Sequence, residues 1–192
     1  TGEIRIGAGS TACTYLLPQL LTRFRALHPG VQLYLRESTS AKIRRRVILG
    51  QLDLGIVSDP EGAEPWRDDT LVLVAMPGLE PRCAPHLTFP PGANHRELLE
   101  RYFPRAPVAM ELNSLVAVKA YVAAGMGIAL LSVAAIEREL ADGRLCVVPH
   151  PATPIHRTLY LLHSGEDRLS PAARALRLGL LEVASTASHP SV

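Results

Sequence analysis

Apolar residues along this chain change period several times, and each change marks an element. Ile4 and Ile6 alternate with Arg5 as a short strand, whereas Leu16, Leu17, Leu20, Leu21, Phe24 and Leu27 recur at helical spacing. Between them Gly7, Gly9, Ser10 and Thr11 predict a strand-to-helix turn. His28-Pro29-Gly30 stops the helix, and Val31, Leu33 and Leu35 alternate with Gln32, Tyr34 and Arg36 as a half-buried strand. Ser38-Thr39-Ser40 offers an N-cap to a second helix through Leu49, closed by Gly50, and the residues from Leu52 to Val57 form a nearly continuous apolar strand. This β-α-β-α-β order predicts a parallel sheet with right-handed crossovers.

The pattern lapses from Ser58 to Asp69, where Pro, Gly and acids predict a loop. A strand follows from Thr70 to Met76, and the proline-rich stretch from Pro77 to Gly92 leaves room for a short strand at Leu87-Thr88-Phe89. A helix from Asn94 to Tyr102, a strand from Val108 to Leu112, a helix from Leu115 closed by Gly125 and a strand from Ile128 to Leu131 come next. A helix from Ala134 to Ala141 and a strand from Cys146 to Val148 precede a second interruption from Pro149 to Pro154. The chain then resumes with a strand from Thr158 to His163, a helix from Pro171 through Leu181 capped by Ser170, and a tail from Ser185 expected to fray. Two interruptions, read as crossing segments, predict an α/β fold of two lobes: residues 1–69 with 155–192, and residues 70–154.

Composition narrows the function classes. A chain of 192 residues, 47% hydrophobic, can bury a real core. Its net charge of +2 is too mild for a nucleic-acid surface. Cys13, Cys83 and Cys146 are odd in number and form no C-x-x-C pair, so neither a disulfide framework nor a zinc site is expected, and a reducing cytoplasm is the simpler compartment. No leader-like opening and no apolar run of about 18 residues is seen, so membrane association is not expected.

Candidate chemistry centres on the first turn. Free N–H groups at a helix N-terminus favour an anion or polar ligand, and the hydroxyls of Ser10 and Thr11 either contact that ligand or simply cap the helix. Gly7 and Gly9 would clear the backbone for close approach. Cys13 reads as a thiol sensor or as a small buried hydrophobe. Lys42, Arg44, Arg45 and Arg46, interleaved with Ile43, Val47 and Ile48, read as a solvated helix face or as the source of one arginine for an anionic ligand. His86 and His95 do not have helix-borne metal spacing, and no nucleophile keeps company with a base and its orienter, so no metal, cofactor or catalytic residue is expected.

Several motifs carry a family resemblance. Ile4-Arg5-Ile6-Gly7, Tyr15-Leu16-Leu17-Pro18 running to Phe24, His28-Pro29-Gly30-Val31, Gly50-Gln51-Leu52-Asp53-Leu54-Gly55-Ile56-Val57, the run from Val118 to Leu131 and Leu169-Ser170-Pro171 together resemble the effector-binding domain of LysR-type transcriptional regulators. The resemblance implies a type 2 periplasmic-binding-protein-like fold of two Rossmann-like lobes joined by two crossovers, with an effector cleft between them. It implies a small, anionic or polar metabolite as effector, held by Gly9, Ser10, Thr11, Ser38, Thr39, Ser40 and Ser58 of one lobe and by Phe89, Pro91, Gly92, Ala93, Asn113, Gly127 and Ile128 of the other. It also implies a homodimer or homotetramer in which the helix from Tyr15 to Leu27 meets a partner's helix from Leu115 to Ala124. DNA and RNA polymerase would be reached only through a full-length protein, whose N-terminal DNA-binding domain is not in this chain. A solute-binding protein serving a transporter, or an enzyme on the same scaffold, is the alternative reading.

Overall fold

A computed structural model describes the backbone of residues 2–187; Thr1 and Ser188–Val192 lie outside the described residues. The tail expected to fray from Ser185 therefore falls mostly outside them, while residues 185–187 continue the last helix. The chain separates into two compact units, Thr1–Asp68 with Thr158–Val192, and Asp69–Arg157.

The first unit is built on β1 (Gly2–Ala8), which pairs in parallel with β2 (Val31–Glu37) from Gly2↔Val31 to Ala8↔Glu37. On its other side β1 pairs in parallel with β3 (Leu54–Val57), and β3 pairs antiparallel with β9 (Ile155–Leu162), as in Gly55↔Leu162. Helix α2 (Ser40–Ile48) lies on this sheet through Ile43 and Val47, which join Leu52, Val57 and Leu162 in one apolar cluster. The close approach requires glycine beneath it. A Cβ on Gly7 would come within 2.6 Å of the Leu52 Cδ1 and 3.2 Å of the Ile43 Cγ1, and one on Gly55 within 2.5 Å of the Ile43 Cγ2. Gly7 thus clears space for helix packing, whereas a Cβ on Gly9 would meet nothing within 4 Å.

The single helix expected after the first strand is two pieces. Ala12–Leu16 is a π-turn, closed by the Leu17 N–H donating to the Ala12 carbonyl at 2.9 Å, and the regular helix α1 runs only over Pro18–Leu27. Pro18 is the cause: it has no N–H for the Thr14 carbonyl, and its ring crowds the preceding turn, so the ladder widens before it. Helix α6 (Pro171–Ala187) completes the unit, with the Ser170 hydroxyl accepting from the Ala173 N–H at 3.2 Å.

The loop expected from Ser58 to Asp69 is mostly a strand. Only residues 58–62 are irregular, and β4 (Ala63–Ala75) begins well before Thr70. Its polar half is held extended by side chains whose partners lie far away in sequence. Glu64 takes two donors from Arg177, Asp68 accepts from the Thr158 hydroxyl at 2.8 Å, and the Trp66 indole N–H donates to the Leu180 carbonyl at 3.1 Å. Strand β9 likewise starts at Ile155 rather than Thr158.

In the second unit, the end of β4 pairs antiparallel with β7 (Ala129–Ser132), Leu71↔Ser132, and with β8 (Cys146–Val148), Leu73↔Val148. The short strands β5 (His86–Thr88) and β6 (Val108–Glu111) pair in parallel, Thr88↔Glu111. Helices α3 (Asn94–Tyr102), α4 (Leu115–Ala123) and α5 (Val133–Ala141) surround them. Leu71, Leu73, Leu98, Ile128, Leu130, Val148 and Ile155 form the core.

Candidate functional site

In the first unit the polar candidates collect at one edge of the sheet. Gly9, Ser38 and Ser58 each follow the carboxyl end of a parallel strand, and the Ala8↔Glu37 register brings the ends of β1 and β2 level. The Ser38 N–H donates to the Ala8 carbonyl at 3.0 Å, which fixes the start of the α2 loop beside the first turn. Ligands of open α/β sheets collect at this edge, because helix N-termini point their free N–H groups there.

Thr11 is the most telling residue of this edge. It is only 3% exposed, and its Oγ1 has no hydrogen-bond partner among the described residues. An unpaired buried hydroxyl costs about 1–3 kcal/mol, so plain helix capping does not account for it. Ser10 stands beside it, partly exposed. Thr39 caps α2, with the Lys42 N–H 3.5 Å from its hydroxyl. Ser40 and Ser58 meet directly: their hydroxyl oxygens are 3.0 Å apart, and the Ser58 N–H donates to the Ser40 Oγ at 3.0 Å. One hydroxyl proton is used between them, which leaves the pair one O–H to offer outward.

Arg44 and Cys13 settle their sequence alternatives in different ways. Arg44 grips the Asp59 carboxylate and the Glu61 carbonyl, clamping the loop after Ser58 instead of remaining a free anion receptor. Cys13 is not activated by its helix end. Burial first, then the nearby Glu37 charge, push its thiol up to about 12, and its Sγ donates to the Ala8 carbonyl at 3.4 Å. It packs as a protonated small side chain and is unsuited to thiolate sensing.

In the second unit the parallel pairing of β5 and β6 sends the Phe89–Ala93 loop and the Asn113-Ser114 turn out at the same edge. Gly92 holds φ +87°, Ala93 N–H donates to the Pro90 carbonyl at 3.2 Å, and Pro91, Gly92 and Asn113 are exposed. Ser114 caps α4, accepting from the Ala117 N–H at 3.3 Å. Phe89 is buried, its ring 4.9 Å from that of His95. Burial, and secondarily the Arg157 charge, hold His95 well below the usual histidine range, so it is neutral.

Gly127 and Ile128 do not join that edge. Ile128 bridges His86 in parallel, which sets both residues beside Pro85 at the opposite end of β5. A Cβ on Gly127 would lie 2.3 Å from the Pro85 carbonyl oxygen, and Ile128 is a core residue. Both serve packing. A polar group that sequence reasoning did not assemble lies near α3: Asp69 accepts from Ser132 and from Arg157, and Arg157 also donates to Asn94, across separations of up to 88 residues. The acid-rich stretch holding Asp69 gave only a loop signal, and nothing local marks Arg157.

No cluster of three or more His, Cys, Asp or Glu side chains suited to a metal occurs among the described residues. No described helix is long and apolar enough to cross a membrane.

The sequence matches the family described as LysR substrate binding domain over residues 1–185. It is 32% identical over 192 residues to the uncharacterized HTH-type transcriptional regulator YeiE of Escherichia coli (strain K12), covering 90% of this chain and 66% of that protein. It is 35% identical over 203 residues to the HTH-type transcriptional regulator CfxR of Cupriavidus necator, covering 94% and 63%. The chain thus spans just under two thirds of the length of these relatives. Among solved structures, the regulatory domain of CcmR from Synechocystis PCC6803, in complex with 2-PG, superposes with a TM-score of 0.81 at 27% identity, covering 96% of this chain and 98% of that one.

Proposed function

The chain belongs to the LysR substrate-binding domain family, and we propose from that premise that it is the effector-sensing part of a LysR-type transcriptional regulator. The effector is a small anionic or polar metabolite. Gly9, Ser10, Thr11, Ser38, Thr39, Ser40 and Ser58 receive it on the first unit, and Pro91, Gly92, Ala93 and Asn113, with the backbone of Phe89, receive it on the second. The observation that carries this reading is the buried, unpaired Thr11 hydroxyl at a helix start. A binding group kept unsatisfied in the free protein is paired when ligand arrives. The 2-PG found on the regulatory domain of CcmR supports a small ligand for this fold.

Effector binding shifts an equilibrium between domain states, with a coupling of about 1–3 kcal/mol, and reaches DNA and RNA polymerase through the rest of a longer cytoplasmic protein. Dimers or tetramers form through Tyr15 to Leu27 against a partner's Leu115 to Ala124. The exposure of Leu27, Val116 and Tyr121 supports that pairing, as does a groove of about 580 Å³ lined by Leu21, Arg25, Val31 and Leu33. A thermal-shift screen of organic acids, amino acids, aromatic acids and 2-PG tests the sensing role. A true effector at 100 times its Kd adds about 2.7 kcal/mol of stability. A chain that dimerises but responds to none of them has an assembly role instead.

A further inference from the structure

Four polar side chains from four elements meet inside the second unit, and none of them belongs to the surfaces assigned above. Arg157 of β9 forks onto Asp69 of β4, its Nε at 2.8 Å and its terminal nitrogen at 2.6 Å from the Asp69 Oδ2. The other Asp69 oxygen accepts from the Ser132 hydroxyl at 2.5 Å. The remaining arm of Arg157 donates to the Asn94 Oδ1 at 2.5 Å. The Arg157 and Asp69 side chains are only 10% and 4% exposed.

Stability alone is a poor reason for this arrangement. A buried ion pair contributes little more than apolar packing of the same volume, and a guanidinium bonded to the first residue of α3 sets a positive charge against the positive end of that helix. What it does secure is orientation. A guanidinium only donates, so it fixes the carboxamide oxygen of Asn94 toward itself and turns the Asn94 NH2 away from it. That NH2 has one long contact, 3.4 Å to the Glu97 Oε2. The N-cap position, Ala93, supplies no side-chain acceptor for the first-turn amides beside it.

We propose that Arg157, anchored on Asp69, is a positioning residue that sets the Asn94 carboxamide as a hydrogen-bond donor to an acidic group of the effector, a carboxylate or phosphate. This rests on the effector reading above and adds Asn94 to the second unit's contacts. The Asn94 NH2 and the first-turn N–H groups only donate, so an acidic group that takes the place of the long Glu97 contact is preferred there over an ammonium or a neutral donor.

The test is titration of the 15N-labelled chain with inorganic phosphate, read by NMR at the Asn94 side-chain amide and the backbone amides of residues 94–96. These signals move saturably in the wild type. Asn94→Asp pairs at least as well with Arg157 and keeps the melting temperature, yet it weakens phosphate binding about tenfold, having lost a donor and gained a like charge. Arg157→Gln weakens binding similarly, and Arg157→Lys does so less. If Arg157→Gln does not fold, Asn94→Asp decides alone. Wild-type signals that stay still, or an Asn94→Asp chain that binds phosphate as tightly as wild type, overturn the proposal. Movement confined to residues 9–11 and 58 also overturns it while leaving the effector reading standing; that reading falls instead if the compound screen gives no stabilisation.

Discussion

Two strand-turn-helix corners, one in each unit, solve the same problem with different chemistry. At the corner after β1, polar groups come from the turn itself: Ser10 and Thr11 sit in the first helical turn, and Thr11 keeps its hydroxyl unpaired. At the corner between β5 and α3 the turn is Phe, Pro, Pro, Gly and Ala, with no polar side chain of its own, and polarity arrives from Arg157 and Asp69 through Asn94. The first corner is local and the second is assembled. A local corner tolerates change elsewhere in the unit, while an assembled one fails when any distant partner is lost.

The largest expected effect breaks the assembled corner. Asp69→Ala leaves the Arg157 guanidinium buried without its counter-ion and should cost about 3–5 kcal/mol in chemical denaturation. The comparable change on the first unit, Glu64→Ala opposite Arg177, should cost less, because Arg177, itself 11% exposed, keeps Glu166 as a second carboxylate partner at 3.1 Å and the Glu64 carboxylate is 36% exposed. Equal losses would mean that the Asp69–Arg157 pair matters to its corner no more than an ordinary ion pair matters elsewhere in the chain.

A smaller effect, of opposite sign, sharpens it. Thr11→Val removes a buried hydroxyl that has no partner, so the free chain should gain up to about 1 kcal/mol while losing its thermal response to effector. Ser10→Ala, on a partly exposed residue, should leave stability nearly unchanged and also weaken the response. A Thr11→Val chain that is less stable than wild type would mean that the hydroxyl is structural after all.

A pH slope also arises at the second corner. His95 is held neutral, below its ordinary value, so the unfolded chain takes up a proton there that the folded chain does not. Its contribution to stability is therefore complete above about pH 6.5 and declines as pH falls below it, by at most about 1.4 kcal/mol per pH unit. Denaturation midpoints between pH 7 and 5 should flatten in His95→Phe, which stacks on Phe89 without titrating.

Elements with one repeating pattern were legible from residues alone. Helix α3 starts and stops where its periodicity does, α4 and α6 begin at their serine caps, and β1, β2 and β3 fall on their alternating or continuous apolar runs. The errors share a cause. Glu64, Asp68 and Asp69 look like loop residues because their partners Arg177, Thr158 and Arg157 are 88 to 113 residues away. Pro18 hid inside a leucine pattern that continues across it, since side-chain spacing carries no record of a missing backbone donor.

By itself the sequence determined the α/β order and the hydroxyl-bearing turns after β1 and β2, because local periodicity and capping depend on neighbours within a turn or two, while its motifs carried the family resemblance. Only tertiary structure decided that Gly7 makes room for α2 rather than for ligand, that Cys13 is held as a thiol, and that Gly127 and Ile128 belong to packing. It also decided that a buried arginine holds Asn94. Burial, excluded volume and ion pairing depend on which distant segments touch, and no window along the chain contains that information.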